Sequence, residues 1–208
     1  MLQHYLKSAV RSLFKNKRFA LVNMLGLAIG MGACLMLLEY VSFEKSFDGF
    51  HQNADQIYRV VNHRFKNGEP VQLGTITYPR VGYQMQEDFP EIEQASRIAP
   101  GFGMHVHKGD QDMILINDPI FVDNNFFQLL SYPLLIGDPA TALKEVYSLV
   151  LSESRAKQLF GEDVELSSLI DRPIHFNNQQ LIIKGICKDL PANTILQYDF
   201  FVSYATFI

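Results

Sequence analysis

The chain has 208 residues, 48% of them hydrophobic and 12% aromatic, with a formal net charge of −4. This composition excludes a disordered chain and permits a sizeable core. The charge is unevenly spread: Lys7, Arg11, Lys15, Lys17 and Arg18 come before any acid, whereas beyond Phe43 there are 13 basic and 21 acidic residues, a remainder too acidic for a nucleic-acid partner, which needs a basic face.

Residues 1–18 read as a cytoplasmic interfacial helix. Leu2, Tyr5, Leu6, Ala9, Val10, Leu13 and Phe14 recur at steps of three and four, and Lys7, Arg11 and Lys15 occupy another stripe. That pattern sets apolar residues toward acyl chains and cations among anionic headgroups, so membrane lipid is the expected partner. Lys17 and Arg18 add to the membrane-surface charge. The alternative is a basic, frayed N-terminus.

Residues 19–43 read as a transmembrane helix. From Leu21 to Leu38 there is no charged residue, and Asn23 is the one strongly polar side chain. A helix of this length covers the roughly 30 Å hydrocarbon core of a bilayer. Being apolar on every face, it needs either lipid or a large protein around it, and the 165 residues that follow form too small a domain to wrap it. Basic flanks stay inside, so the N-terminus is expected in the cytoplasm and residues 44–208 outside, in the periplasm if the membrane is a bacterial inner membrane. A cleaved signal fits poorly, because the apolar run exceeds a signal core. Met31-Gly32-Ala33-Cys34 resembles a lipoprotein cleavage box, but Leu35-Met36-Leu37-Leu38 continues the run where a polar tether would be needed. Gly26 and Gly30 form a Gly-x-x-x-Gly pair, a helix-packing pattern that lets a second helix approach closely in lipid. Glu39 and Glu44 read as interfacial. Cys34 in the span and Cys187 far along the outer region are not expected to meet.

Residues 44–55 form a polar linker, and 56–208 the outer domain. Gln56 to Phe65 reads as a strand, Asn67-Gly68 as a hairpin turn and Val71 to Thr77 as the return strand. Pro79 opens a helix with Val81, Met85 and Phe89 at four-residue spacing, closed by Pro90. Glu91 to Ile98, Met104 to Val106 and Met113 to Ile116 read as short strands, the last two joined by a turn at Lys108-Gly109-Asp110. Asp123 or Asn124 could cap a short helix through Phe126, Phe127 and Leu130. A loop with Pro133, Gly137 and Pro139 leads to a buried strand, Tyr147 to Leu151. Ser152-Glu153-Ser154 then starts a helix through Ala156 and Leu159 that Gly161 stops. Ile174 to Phe176, a turn at Asn177-Asn178 and Gln180 to Cys187 read as a hairpin, broken by Asp189-Leu190-Pro191; Phe200 to Ser203 is a final strand. The fold class is α+β: two N-terminal helices, then a mixed, largely antiparallel extracytoplasmic domain.

Few residues suggest chemistry. No Gly-x-x-x-x-Gly-Lys-Ser/Thr or Gly-x-Ser-x-Gly is present, and neither cysteine lies in a nucleophile motif. His105-Val106-His107 puts two imidazoles on one strand face near Asp110 or Asp112, but no third ligand is specified, so a solvated strand is the simpler reading. His51, His63 and His175 read as surface or packing residues, and Glu87-Asp88 to Glu91-Glu93 as a solvated helix end. Phe126-Phe127 and Phe200-Phe201 read as core. No metal or cofactor site is assigned.

The order of segments resembles the MacB-like, FtsX-type permease subunits of ABC transporters. The resemblance is carried by Leu6-Lys7-x-Ala9-x-Arg11-x-Leu13 with Lys15-Asn16-Lys17, the Gly-rich span, Phe47-Asp48 and Ile57-Tyr58-Arg59-Val60. It continues through Phe89-Pro90-Glu91-Ile92-Glu93, Val122-Asp123-x-x-Phe126-Phe127 and Pro133-Leu134-x-x-Gly137-Asp138-Pro139-x-x-Ala142-Leu143. It ends with Val150-Leu151-Ser152-Glu153-Ser154-x-Ala156, Leu159-Phe160-Gly161 and Gly185-Ile186-Cys187-Lys188-Asp189-Leu190-Pro191-x-Asn193. What this implies is a first transmembrane helix and a MacB-like periplasmic core domain, in a non-enzymatic subunit whose ATP hydrolysis belongs to a cytoplasmic ABC ATPase partner. It also implies a second permease subunit, as a dimer, and further spans beyond the outer domain, so that the chain reads as an N-terminal part ending within that domain. Two other readings are a single-span extracytoplasmic sensor and a membrane-anchored enzyme using His105 and His107.

Overall fold

A computed structural model describes residues 4, 5, 7, 11, 14–74, 76–101, 103–108, 112–116, 118–176 and 179–207. The chain divides into two compact units, 1–49 and 50–208.

The first unit is dominated by one helix, α1 (Lys17–Lys45, 29 residues). At 1.5 Å per residue it is about 44 Å long. None of its residues is buried, and its apolar side chains, among them Leu21, Leu27, Ile29 and Leu37, are exposed all round. Ser46 closes it, its backbone N–H reaching the Ser42 and Phe43 carbonyls and its hydroxyl donating to the Phe43 carbonyl at 2.7 Å. Ahead of α1, His4, Tyr5, Lys7, Arg11, Phe14 and Lys15 are helical and exposed. Leu2, Leu6, Ala9, Val10 and Leu13, the apolar stripe expected there, lie outside the described residues.

The second unit is built on a sheet of nine strands among the described residues. They are β3 (Ile98–Pro100), β4 (Met104–Lys108), β5 (Asp112–Ile116), β6 (Ile120–Val122), β7 (Leu134–Ile136), β8 (Ser148–Ser152), β9 (Pro173–Phe176), β10 (Gln179–Cys187) and β11 (Phe200–Ser203). Their order is β3-β6-β11-β8-β10-β9-β4-β5, with β7 also on β10. Pairing is mostly antiparallel, as expected, but β8 with β10 and β6 with β11 are parallel. The central strands SLVLS and FFVS are buried at every position, because both sheet faces are covered. Leu149, Leu151, Phe200 and Val202 face one cluster with Leu181, Ile183 and Leu159. Val150 and Phe201 face the other, with Phe126, Phe127, Leu143 and Cys187. A register shift between Ile183 and Gly185 reverses the alternation of β10, so Ile183 and Ile186 reach the same cluster.

The Phe pairs are core, as expected: Phe126, Phe127, Phe200 and Phe201 are at most 1% exposed. Each such side chain contributes roughly 1.5–3 kcal/mol by leaving water. Helix α2 (Val81–Asp88) lies where the spacing of Val81 and Met85 put it. Helix α3 (Phe126–Leu129) is a single turn. Helix α4 (Glu153–Phe160) has Ser152 as N-cap, its Oγ accepting from the Arg155 N–H, and Gly161 at φ +111° as C-cap, as its sequence signals demand.

A separate hairpin, β1 (Asn62–Lys66) with β2 (Glu69–Gly74), turns at Asn67 (φ 53°) and Gly68 (φ 84°). Two consecutive positive φ angles are the geometry for which Asn-Gly is selected. Connecting residues Phe50 and His51 belong to the packing of the second unit: the His51 ring lies 4.2 Å from Phe50 and 5.4 Å from Tyr132, and its Nδ1–H donates to the Leu130 carbonyl.

Several expectations are corrected. The strand expected from Gln56 begins only at Asn62, because Ile57 to Val61 find no partner strand among the described residues. The strand expected over Glu91–Ile98 is confined to Ile98–Pro100. The loop between Pro133 and Gly137 contains β7, which completes the edge of β10. Neither Asp123 nor Asn124 is the N-cap of α3; Asn125 holds that position without a side-chain cap, and the Asp123 carboxylate faces Arg97 instead. The final strand stops at Ser203 and gives way to a 3-10 turn over Tyr204–Thr206. The turns expected at Gly109-Asp110 and Asn177-Asn178, and Ile208, lie outside the described residues.

Candidate functional site

In the first unit the residues expected at the membrane surface are set by helical spacing. Lys7, Arg11 and Lys15 are one turn apart, and Lys17 and Arg18 open α1; all five are exposed. Gly26 and Gly30 lie one turn apart on α1, and a Cβ added at either would meet nothing within 4 Å. Cys34 is exposed on the same helix, whereas Cys187 is buried in the other unit; both are free thiols.

In the second unit the polar groups converge on three places, each made of segments far apart in sequence. The first surrounds Asp123 at the end of β6. Its carboxylate accepts from Arg97 Nε and Nη2 and, at 2.6 Å, from the Arg97 backbone N–H. The Arg97 guanidinium lies 3.9 Å from the Tyr204 ring centroid and 4.8 Å from that of Tyr83. This is a bidentate ion pair held by cation–π contacts, and it ties α2, β3, β6 and the 3-10 turn after β11 together. Burial, then the hydrogen bond to Asp123, raises the Tyr83 pKa.

The second place is the start of α4. Asp189 Oδ1 accepts from the Ser154 N–H at 3.0 Å and Oδ2 from the Ser154 hydroxyl at 2.6 Å. Ser152 caps the same turn through the Arg155 N–H. An acid at a helix N-terminus satisfies otherwise orphaned donors. Burial opposes ionisation of Asp189, but the hydrogen bonds from Ser154, and then Ser152 and the charge of Lys157, outweigh it and hold the carboxyl below its usual range. Arg155 meanwhile reaches back to Asp199, just before β11.

The third is the close approach of Gly137 and Gly185. Gly137 has φ +100°, and a Cβ there would come within 2.6 Å of the Lys184 carbonyl oxygen and 3.0 Å of the Gly185 Cα. Next to it Asp138 accepts from the Ala140 N–H and the Thr141 hydroxyl, which turns the chain so that Ala142 and Leu143 enter the core.

These contacts join motif-bearing sequence segments to one another, Ser152-Glu153-Ser154 to Asp189 and Gly137 to Gly185, and tie Asp123 to Arg97 outside them. Their polar residues hold the fold rather than converge on a reactive centre. Sequence reasoning did not find Arg97, because nothing local marks its pairing with a residue 26 positions away. His105 is exposed on β4, and His107 is aligned in register with His175 on β9. Among the described residues no group of three His, Cys, Asp or Glu is placed to hold a metal ion. Burial pushes the Cys187 thiol up to about 12, so it is no nucleophile at neutral pH.

Similarity to known proteins was sought in three ways. No curated protein matches. Among solved structures, a domain of a protein assigned as a permease from Porphyromonas gingivalis superposes with a TM-score of 0.57 at 19% identity, over 70% of this chain and 60% of that one. The periplasmic region of MacB from Actinobacillus actinomycetemcomitans gives 0.47 at 13% identity, over 74% of this chain and 70% of that one. The extracellular domain of the ABC-type transporter YknZ from Gram-positive bacteria gives 0.40 at 13% identity, over 54% and 55%. The first supports a shared fold, and this chain spans 60% of that structure's length. The MacB-like periplasmic core domain matches residues 20–208, from within α1 to the last residue. Most of the apolar helix and the whole sheet domain therefore fall within one family match, and the chain belongs to the MacB-like periplasmic core domain family.

Proposed function

We propose that this chain is the transmembrane and periplasmic part of a permease subunit in an ABC-type export or mechanotransmission complex. A cytoplasmic ABC ATPase would supply the energy, and the outer domain would move against a substrate or envelope partner. The observation that carries this reading is the continuous family match from Ala20 to Ile208, because it includes a helix long and apolar enough to cross a membrane together with the domain beyond it.

The chain's own residues would act as follows. Lys7, Arg11, Lys15, Lys17 and Arg18 hold the N-terminal helix on the inner-membrane surface, with the N-terminus cytoplasmic. Gly26 and Gly30 let a neighbouring helix, in this subunit or a second permease subunit, pack closely against α1. The central strands of the outer sheet are buried on both faces, and Arg97–Asp123 and Asp189–Ser154 tie its flanking segments together, which supports a domain that moves as a body, as a transmitted displacement requires. The absence of a phosphate-binding loop in the sequence is consistent with a non-enzymatic role that leaves ATP hydrolysis to the partner.

The test is purification of the full-length subunit from its native membrane. Co-purification of an ABC ATPase whose turnover changes with the subunit present supports the reading. A subunit that purifies without an ATPase, and leaves ATP turnover unchanged when one is supplied, overturns it.

A further inference from the structure

The β1–β2 hairpin stands outside the nine-stranded sheet and pairs with itself. In register, Phe65 pairs with Pro70 and His63 with Leu73 on one side, while Arg64 pairs with Gln72 and Lys66 with Glu69 on the other; a register shift between Arg64 and Phe65 leaves Val71 as an extra, unpaired strand residue. One face of the ribbon is thus largely apolar and the other polar. Phe65 is 63% exposed and Val71 64%, and Tyr58, Ile76 and Tyr78 in the flanking segments are exposed as well. A two-stranded ribbon with an uncovered apolar face is marginal in water by itself, and apolar residues grouped in this way mark a contact surface.

Charge indicates what covers it. Residues 56–80 carry four cations, Arg59, Arg64, Lys66 and Arg80, against one acid, Glu69, although residues 44–208 as a whole are strongly acidic. All four cations are exposed, with Arg80 lying 3.8 Å from Glu87 and Arg64 donating to the Tyr78 hydroxyl. Arg64 and Lys66 leave from the opposite face of this single-layer ribbon, and their long side chains can bend round it to headgroups beside the apolar face, the snorkelling that anionic bilayers favour. The sequence keeps such a surface within reach: Tyr58 follows Lys45, the last residue of α1, by thirteen positions.

We infer that the β1–β2 hairpin is a membrane-surface contact, which inserts Phe65 shallowly into anionic phospholipid while its cations engage the headgroups. The inference rests on α1 lying in lipid.

Phe65→Trp tests it in the full chain, because the sequence contains no Trp and the reporter is therefore unique. The protein is reconstituted in nanodiscs built with a Trp-free scaffold protein, of phosphatidylcholine with and without phosphatidylglycerol, including lipids brominated about 5–10 Å below the headgroups. The expected result is blue-shifted emission quenched by brominated lipid, stronger with phosphatidylglycerol. Adding Arg59→Glu and Lys66→Glu should return the emission toward its value in water, since each cation near an anionic surface is worth about fivefold in association. Val146→Trp, at a half-exposed loop site outside the hairpin, should stay unquenched. Emission as in water with phosphatidylglycerol present overturns the proposal. A blue shift without quenching also overturns it, because a protein surface then covers the hairpin. A chain that fails to enter nanodiscs overturns both this inference and the membrane reading; a Phe65→Trp chain that enters them with its indole still in water overturns this inference alone.

Discussion

Replacing Asp123 tests how the outer domain is held together. The carboxylate accepts from three Arg97 nitrogens, Nε, Nη2 and the backbone N–H, in four hydrogen bonds. Its side chain is 10% exposed, and that of Arg97 is 28%. Asp123→Ala leaves a guanidinium enclosed by Tyr83 and Tyr204 without its counter-charge, and an amide N–H without its acceptor. Breaking a fully buried pair costs about 3–5 kcal/mol. The partial exposure of Arg97 lets water recover some of that, so about 2–4 kcal/mol is expected. At about 2–4 °C per kcal/mol for a chain of this size, the melting temperature should fall by roughly 5–15 °C. Asp123→Asn keeps an acceptor for the Arg97 amide and should lose less than Asp123→Ala. Urea unfolding of the full chain in detergent, followed by near-ultraviolet circular dichroism, reads the change. A loss below about 0.5 kcal/mol for Asp123→Ala, the size expected of an ordinary surface substitution, would refute the assignment of this pair as a clamp.

Gly137→Ala should be much costlier than Gly161→Ala. Both positions have positive φ, but only at Gly137 does the new Cβ meet backbone. Strain alone is about 1–3 kcal/mol, and the clash adds a similar amount; equal losses in urea unfolding would contradict the close approach of β7 to β10. Asp189 has a depressed native pKa, so its contribution is present above the unfolded carboxyl value of about 3.9 and is lost as pH falls through the lower native value. Asp189→Asn should therefore flatten the acid limb of a stability–pH curve, and an unchanged limb would contradict it. Cys187 should resist a charged maleimide at neutral pH until the domain unfolds; labelling of the native protein would show that β10 is not buried as described.

How much of this was legible in the sequence depends on how local each signal is. Asn67-Gly68, Ser152 and Gly161 each fix a backbone geometry by their own chemistry, and the structure places them accordingly. Tyr147 to Leu151 reads as a buried strand and Phe200 to Ser203 as a further strand, and the observed strands SLVLS and FFVS are buried throughout. Strand β7 was not legible, since three residues between Pro133 and Gly137 show no period. The parallel pairing of β8 with β10 brings together residues over 30 positions apart, and no local pattern encodes such a register. Ile57 to Val61 has strand composition without a strand partner among the described residues, because propensity describes fit to a sheet rather than the presence of one. Asp123 looked like a helix cap because it precedes a helix, but the distant Arg97 offers a charged, bidentate alternative. The motifs announced a family; only the contacts among them show that their polar members are structural.

The central claim is that α1 crosses a membrane with the basic end inside and the sheet domain outside. The most direct test is labelling of intact spheroplasts with a membrane-impermeant maleimide, in a Cys34→Ser background. Glu162→Cys, on the exposed surface after α4, should label at once, and Lys15→Cys only after the membrane is permeabilised. Labelling of Lys15→Cys in intact spheroplasts, with Glu162→Cys protected, would contradict the account.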